Sequence, residues 1–121
     1  MKRSLNFKML SLNAREIRPL DKRKALFNWL AKEKFVITLL QETYSTPEVV
    51  NLWKAQWRGD IFFSHGSEHS KGVILFKASF DYEIKVLRED EQGRFVILKC
   101  LIQSEPFVLV NIYAPNKIKD Q

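Results

Sequence analysis

Phe35-Val36-Ile37-Thr38-Leu39-Leu40-Gln41-Glu42-Thr43 is the stretch whose reading decides the fold. Phe35 to Leu40 is the most apolar run of the chain and is nearly unbroken, the pattern of a strand buried on both faces. Gln41-Glu42-Thr43 closes it with polar groups. A carboxylate at the end of a buried strand is costly unless it lies at the sheet edge with a partner. Where oxygen-bearing side chains gather, that partner is commonly a hard cation.

Two more strand ends finish in polar residues: Ser11-Leu12-Asn13 and Asn111-Ile112-Tyr113-Ala114-Pro115-Asn116. Residues 5–13 read as a first strand, and residues 35–41 as a second. Between them, Arg18-Pro19 breaks the chain, and Asp21 can cap a helix running to about Lys34. Leu26, Phe27, Leu30 and Ala31 form its apolar stripe at helical spacing. A strand–helix–strand unit of this length predicts parallel strands joined by a right-handed crossover. Asn13 and Glu42 then share the edge beyond the carboxyl ends of both strands, where ligands bind in α/β sheets. Parallel neighbours lie about 4.8 Å apart, so a carboxamide and a carboxylate there can reach one cation together. Phe107, Leu109, Asn111 and Tyr113 share a face of the last strand, and Tyr113 and Asn116 join the site if that strand ends at the same edge.

Each of these residues has a plainer reading. Asn after a strand is a turn former, and a Tyr ending a strand packs with a wet hydroxyl. The case for a site rests on the three ends together.

The rest of the chain reads as ordinary structure. Thr46-Pro47 opens a second helix, whose Val50, Trp53 and Trp57 spacing predicts core packing and not a base-stacking platform. Ile61 to Ser64 and Val73 to Phe76 read as short strands around a polar loop holding His65 and His69. Those two histidines stand in a Gly/Ser loop without the further ligands that zinc requires. Tyr82, Ile84 and Val86 alternate with Glu83, Lys85 and Leu87. A turn at 89–93, a strand over 94–103, a turn around Ser104-Glu105-Pro106 and a strand over 107–113 complete a β-meander. Neither a phosphate-cradling glycine loop nor a G-x-S-x-G elbow is present.

The chain has 121 residues, enough for one domain, and is 45% hydrophobic and 28% charged. Its single cysteine, Cys100, excludes an internal disulfide and falls mid-strand, as a buried structural thiol does. No apolar stretch approaches the roughly 20 residues of a membrane helix, and no signal-peptide core follows Met1-Lys2-Arg3. The expectation is an intracellular protein, cytoplasmic or nuclear, not secreted and without a membrane partner. Net charge is +6, and residues 1–34 hold ten Lys/Arg against three Asp/Glu. That cluster suits an anionic partner such as nucleic acid, or else a solvated helix face. Lys22, Arg23 and Lys24 sit at the helix end that the dipole makes unfavourable for cations, which points to contact and not stability.

At these residues the chain resembles the endonuclease/exonuclease/phosphatase superfamily. The resemblance rests on Leu10-Ser11-Leu12-Asn13, Ile37-Thr38-Leu39-Leu40-Gln41-Glu42-Thr43, Ser70-Lys71-Gly72-Val73 and Val110-Asn111-Ile112-Tyr113-Ala114-Pro115-Asn116. Its finer texture is similar to the apurinic-type endonuclease domain of non-LTR retrotransposons, in the basic helix of 22–34, Leu52-Trp53 and Phe62-Phe63-Ser64-His65-Gly66. The resemblance implies an α/β fold: residues 1–121 would be the amino-terminal half of a four-layer α/β sandwich, a mixed sheet with flanking helices.

It further implies cleavage of phosphoester bonds with Mg2+, or Mn2+ in its place. Glu42 matches the metal-binding Glu, Asn13 the Asn beside that metal, and Tyr113 the Tyr facing the scissile phosphate. Asn116 matches a residue that contacts the DNA backbone, and Arg15, Lys22, Arg23 and Lys24 would add charge for DNA. A reverse transcriptase domain would follow in a longer parent. Arg15 stands where the repair enzymes carry an acidic residue, which argues against a repair role, and Glu16 stands where many relatives have Gly.

Superfamily members also carry a later Asp-x-Asn motif and a terminal Asp-His pair, and neither occurs in the 121 residues. The expectation is therefore a fragment inactive alone, with the opposing sheet mostly missing and an apolar sheet face exposed, prone to self-association. The alternatives are a non-catalytic nucleic-acid-binding remnant and a phosphatase of the same superfamily.

Overall fold

A computed structural model describes residues 7–64, 72–78, 80–90 and 94–112. The described elements are β1 (Lys8–Asn13), α1 (Leu20–Lys32), β2 (Phe35–Gln41), α2 (Val50–Gln56), β3 (Gly59–Ser64), β4 (Gly72–Lys77), β5 (Tyr82–Glu89), β6 (Phe95–Ile102) and β7 (Glu105–Ile112). A 3-10 turn at Pro47–Val49 leads into α2, with Pro47 at its start as the Thr46-Pro47 pair predicts. None of the described helices is long and apolar enough to cross a membrane.

The first four strands form one sheet in the order β1-β2-β4-β3, and the last three a second sheet in the order β5-β6-β7. β1 and β2 are parallel, with Asn13 opposite Gln41, as the crossover through α1 requires. β4 pairs antiparallel with both β2 and β3.

Alternation along the first sheet feeds two cores. Leu40, Ile61, Phe63, Val73 and Leu75 face α1 and α2, where they meet Phe27, Leu30, Trp53 and Trp57. Ile37, Leu39, Ile74 and Phe76 face the second sheet and meet Val96, Leu98, Cys100, Ile102 and Leu109. Trp53 and Trp57 are thus core, and Trp57 Nε1 donates to the Phe76 carbonyl at 3.0 Å. Burial in the second core raises the pKa of the Cys100 thiol, which keeps it neutral and inert.

Five features differ from the sequence reading. The opposing sheet is represented by three strands: the inward faces of β6 and β7 are apolar enough to pack onto the first sheet directly. The apolar face left open is instead the outer side of the second sheet, where Val108 is 58% and Ile112 61% exposed. Pro19, not Asp21, occupies the N-cap of α1, without a side-chain cap; Asp21 lies in the first turn and complements the dipole.

A bulge between Ile84 and Val86 breaks the alternation of β5, placing Leu87 opposite Leu98 and Val86 opposite Lys99. The β6–β7 turn is the pair Gln103-Ser104, both with positive φ (53° and 71°), and Glu105-Pro106 already belongs to β7. Two left-handed residues make the tight hairpin turn whose twist suits the flanking strands. Pro106 is tolerated because β7 is an edge strand.

Candidate functional site

The parallel ladder of β1 and β2 does not stop at their ends. The Ala14 N–H donates to the Gln41 carbonyl at 2.8 Å, Glu16 N–H to Glu42 at 2.6 Å and Ile17 N–H to Thr43 at 3.3 Å. Two loops thereby run side by side past the sheet edge. The pairing requires left-handed backbone at Arg15, Glu16, Glu42 and Tyr44, with φ between 51° and 72°. Such conformations are strained for residues with a Cβ, and clusters of them occur where a site over-determines the chain.

Asn13 ends β1 at this edge and Glu42 follows the last residue of β2, the placement expected from the crossover. The Asn13 side chain is exposed, and its Oδ1 accepts the Arg15 N–H at 3.0 Å, an Asx-type turn that shapes the departing loop. The turn and the site readings of Asn13 are therefore compatible. Arg18 joins the loops from outside: its guanidinium pairs with Glu16 and lies 5.1 Å from the centre of the Tyr44 ring.

The second sheet closes the inner side of the edge. Asn111, 3% exposed on β7, donates through Nδ2 to the carbonyls of Leu40 at 2.9 Å and Val73 at 3.1 Å. Its Oδ1 accepts Gln41 Nε2 at 2.8 Å, and the same nitrogen lies 3.1 Å from Ser11 Oγ. Gly72 makes room for this carboxamide: a Cβ there would stand 3.0 Å from Asn111 Nδ2. The strand leading to Tyr113 therefore ends beside β2, at the edge that holds Glu42. Tyr113 and Asn116 themselves, with His65, His69 and Ser70-Lys71, lie outside the described residues.

The basic residues separate into different environments. Arg15 is exposed, and its carbonyl accepts Lys22 Nζ at 2.7 Å, which brings Lys22 to the site loop. Lys24 is exposed and borders a shallow groove with Leu20, Phe27 and Gln56.

Arg23 corrects the sequence reading. It is 3% exposed, and its guanidinium donates to the carbonyls of Ile17 and Arg18 and to Gln56 Oε1, at 3.1, 2.7 and 2.7 Å. It also lies 5.2 Å from the centre of the Trp53 ring. Burial lowers its pKa, and the hydrogen bonds compensate the buried charge. It holds the β1–α1 loop against α2 and has no surface to offer nucleic acid.

A sequence signal for this existed, since Arg23, Phe27 and Leu30 lie on one helix face. Gln41 and Asn111 are the site-edge residues to which the sequence reading assigned no function. The inward face shared by Phe107, Leu109 and Asn111 was their visible trace.

Asn13 and Glu42 offer a carboxamide and a carboxylate oxygen, the donor class of a hard cation. Among the described residues no three His, Cys, Asp or Glu side chains group closely enough to hold a metal. In donor kind alone the pair suits a hard divalent cation.

The architecture has solved counterparts. The AP endonuclease LMAP of Leishmania major superposes with a TM-score of 0.68 at 18% identity, over 91% of this chain and 40% of that one. The chain shares the fold of this AP endonuclease.

The same fold is found in truncated TDP2 from Caenorhabditis elegans, with a TM-score of 0.57 at 20% identity, over 89% of this chain and 46% of that one. The two-sheet α/β arrangement thus corresponds to less than half of each of these two solved chains. In sequence, the chain is similar to the transposon TX1 uncharacterized 149 kDa protein of Xenopus laevis, 33% identical over 92 residues. That match takes in 75% of this chain and 7% of the relative. No family model matches the chain.

Proposed function

We propose that this chain is the amino-terminal part of a Mg2+-dependent phosphodiesterase domain, a DNA endonuclease of retrotransposon type, and is inactive alone. The observation that carries this reading is the meeting of β1, β2 and β7 at one edge, where Asn13 ends β1 opposite Gln41 and Glu42 follows β2. Likeness in fold to an AP endonuclease and in sequence to a transposon protein supports it.

Glu42 and Asn13 would hold Mg2+, or Mn2+ in its place. The ion would neutralise phosphate charge and stabilise the leaving oxygen. Tyr113 would face the scissile phosphate, and Asn116, Arg15 and Lys22 would bind the DNA backbone. A reverse transcriptase would accompany the domain in a longer parent, working in the cytoplasm or nucleus. In a polypeptide carrying the complete domain, Glu42→Ala should abolish Mg2+-dependent nicking of supercoiled plasmid while leaving the fold intact. Undiminished nicking by that variant would overturn the assignment.

A second reading, a nucleic-acid-binding module without catalysis, draws on the exposure of Arg15, Lys22 and Lys24. Binding would then weaken linearly on a log–log salt plot, and neutralising Lys22 and Lys24 would weaken it across all sequences. Binding indifferent to salt would exclude it.

A further inference from the structure

Gln41 is held from three directions immediately before the left-handed Glu42. Its carbonyl accepts the Ala14 N–H, its Nε2 reaches Ser11 on β1, and the same nitrogen donates to Asn111 on the opposite sheet. Asn111 spends its full amide on this junction. Both Nδ2 hydrogens go to main-chain carbonyls, one on β2 and one on β4, and Oδ1 goes to Gln41. The amide has only one workable orientation, because a flip would set Oδ1 against two carbonyl oxygens. The partners lie 70, 71 and 38 positions away in the chain. The carboxamide thus ties the end of β2 to the second sheet.

We infer that Gln41 and Asn111 are positioning residues for Glu42: a carboxamide relay that fixes the backbone from which the Glu42 carboxylate is presented. The relay transmits the placement of the second sheet to the site edge. A hydrophobic pair of similar volume would fill the same space between the sheets but would leave the end of β2 free to shift along its axis. Hydrogen-bonded groups behind a metal ligand set its orientation and typically control affinity by about 10- to 100-fold. The part of this inference that concerns metal rests on the reading of Glu42 as a ligand. The part that concerns backbone does not.

The test uses the 121-residue chain and its Gln41→Met, Asn111→Ala and Glu42→Gln variants, at a temperature where circular dichroism shows each folded. Amide hydrogen exchange reads the Glu16 N–H, which is bonded to the Glu42 carbonyl, against the Leu98 N–H in the core. Mn2+ binding is followed by electron paramagnetic resonance. Gln41→Met and Asn111→Ala should speed Glu16 exchange at least about tenfold without changing Leu98, and weaken Mn2+ binding about 10- to 100-fold. Because Gln41 is only half-buried, Gln41→Met keeps the test valid if Asn111→Ala does not fold. Unchanged Glu16 exchange in the folded variants, with only a lower melting temperature, would overturn the inference. Mn2+ binding that Glu42→Gln leaves intact would overturn the metal reading instead, and the exchange result would then decide the positioning role alone.

Discussion

The Glu16 N–H donates to the Glu42 carbonyl oxygen at 2.6 Å, between two residues that both hold left-handed backbone. Left-handed backbone costs a residue with a Cβ about 1–2 kcal/mol, whereas glycine adopts it freely. Glu16→Gly keeps the hydrogen bond and removes that strain, at the expense of about 0.5–1 kcal/mol in unfolded-chain entropy. A net gain of about 0.5 kcal/mol should follow. Glu16→Ala, which loses the same exposed pair with Arg18, should not show it. Urea midpoints of the two variants make the comparison, and a glycine variant no more stable than the alanine variant would refute it.

Arg23 is a structural cation. Arg23→Ala leaves the Ile17 and Arg18 carbonyls unpaired beneath the surface and opens a void beside Trp53. A loss of about 2–4 kcal/mol is expected in urea unfolding. Affinity for double-stranded DNA, measured where the variant remains folded, should stay unchanged, while Lys22→Ala should lower it. A fall in affinity for folded Arg23→Ala as large as that for Lys22→Ala would return Arg23 to the binding surface.

Gly59 opens β3 with φ 138°, and a Cβ there would stand 1.9 Å from the Phe76 carbonyl oxygen. That is the carbonyl to which Trp57 Nε1 donates, so the backbones of β3 and β4 and the Trp57 ring meet at one point. Gly59→Ala should cost more than about 3 kcal/mol and leave little folded protein at 37 °C. A cooperative melt within a few degrees of the parent would contradict the close approach.

The outer face of the second sheet carries Val108, Val110 and Ile112, each more than two-fifths exposed. Apolar surface of this kind drives association. The chain should self-associate in sedimentation velocity, and Val108→Lys with Val110→Glu should shift it toward monomer without lowering its thermal stability by more than about 1 kcal/mol. A parent chain that is monomeric at high concentration would dismiss this.

Much of the fold was legible because it rests on strong local signals. The run Phe35 to Leu40 could only be a doubly buried strand, and the helix before it made β1 and β2 parallel neighbours. That parallelism was sufficient to set Asn13 opposite Gln41, the residue before Glu42. The tryptophan spacing identified core correctly for the same reason. What escaped the reading depends on distant partners. Helical spacing puts Arg23 on the face of Phe27 and Leu30, apart from Lys22 and Lys24, but the groups that satisfy a charge there come from elsewhere in the chain. The carbonyls of Ile17 and Arg18, the Gln56 amide oxygen and the Trp53 ring together compensate its burial. The turn at Gln103-Ser104 contains no glycine, so composition placed it one residue late. The second sheet was missed as a layer because its inward face is recognisable only once the first sheet exists to receive it.

The two sheets differ in how far their pairings reach along the chain. β5, β6 and β7 join nearest neighbours through short turns, whereas β2 pairs with β1 across a helix and with β4 across β3. Local pairings form faster because less chain must be closed. The meander should therefore assemble first on refolding, and the first sheet should dock onto it. Asn111 would then wait, already on its strand, for Leu40 and Val73 to arrive. Pulse-labelled exchange should protect β6 amides before those of β2, and simultaneous protection would show a single concerted step. The order has a consequence during synthesis too. The segment through β4 leaves the ribosome before the meander that covers it, so Ile37, Leu39, Ile74 and Phe76 face water until the last third of the chain is made.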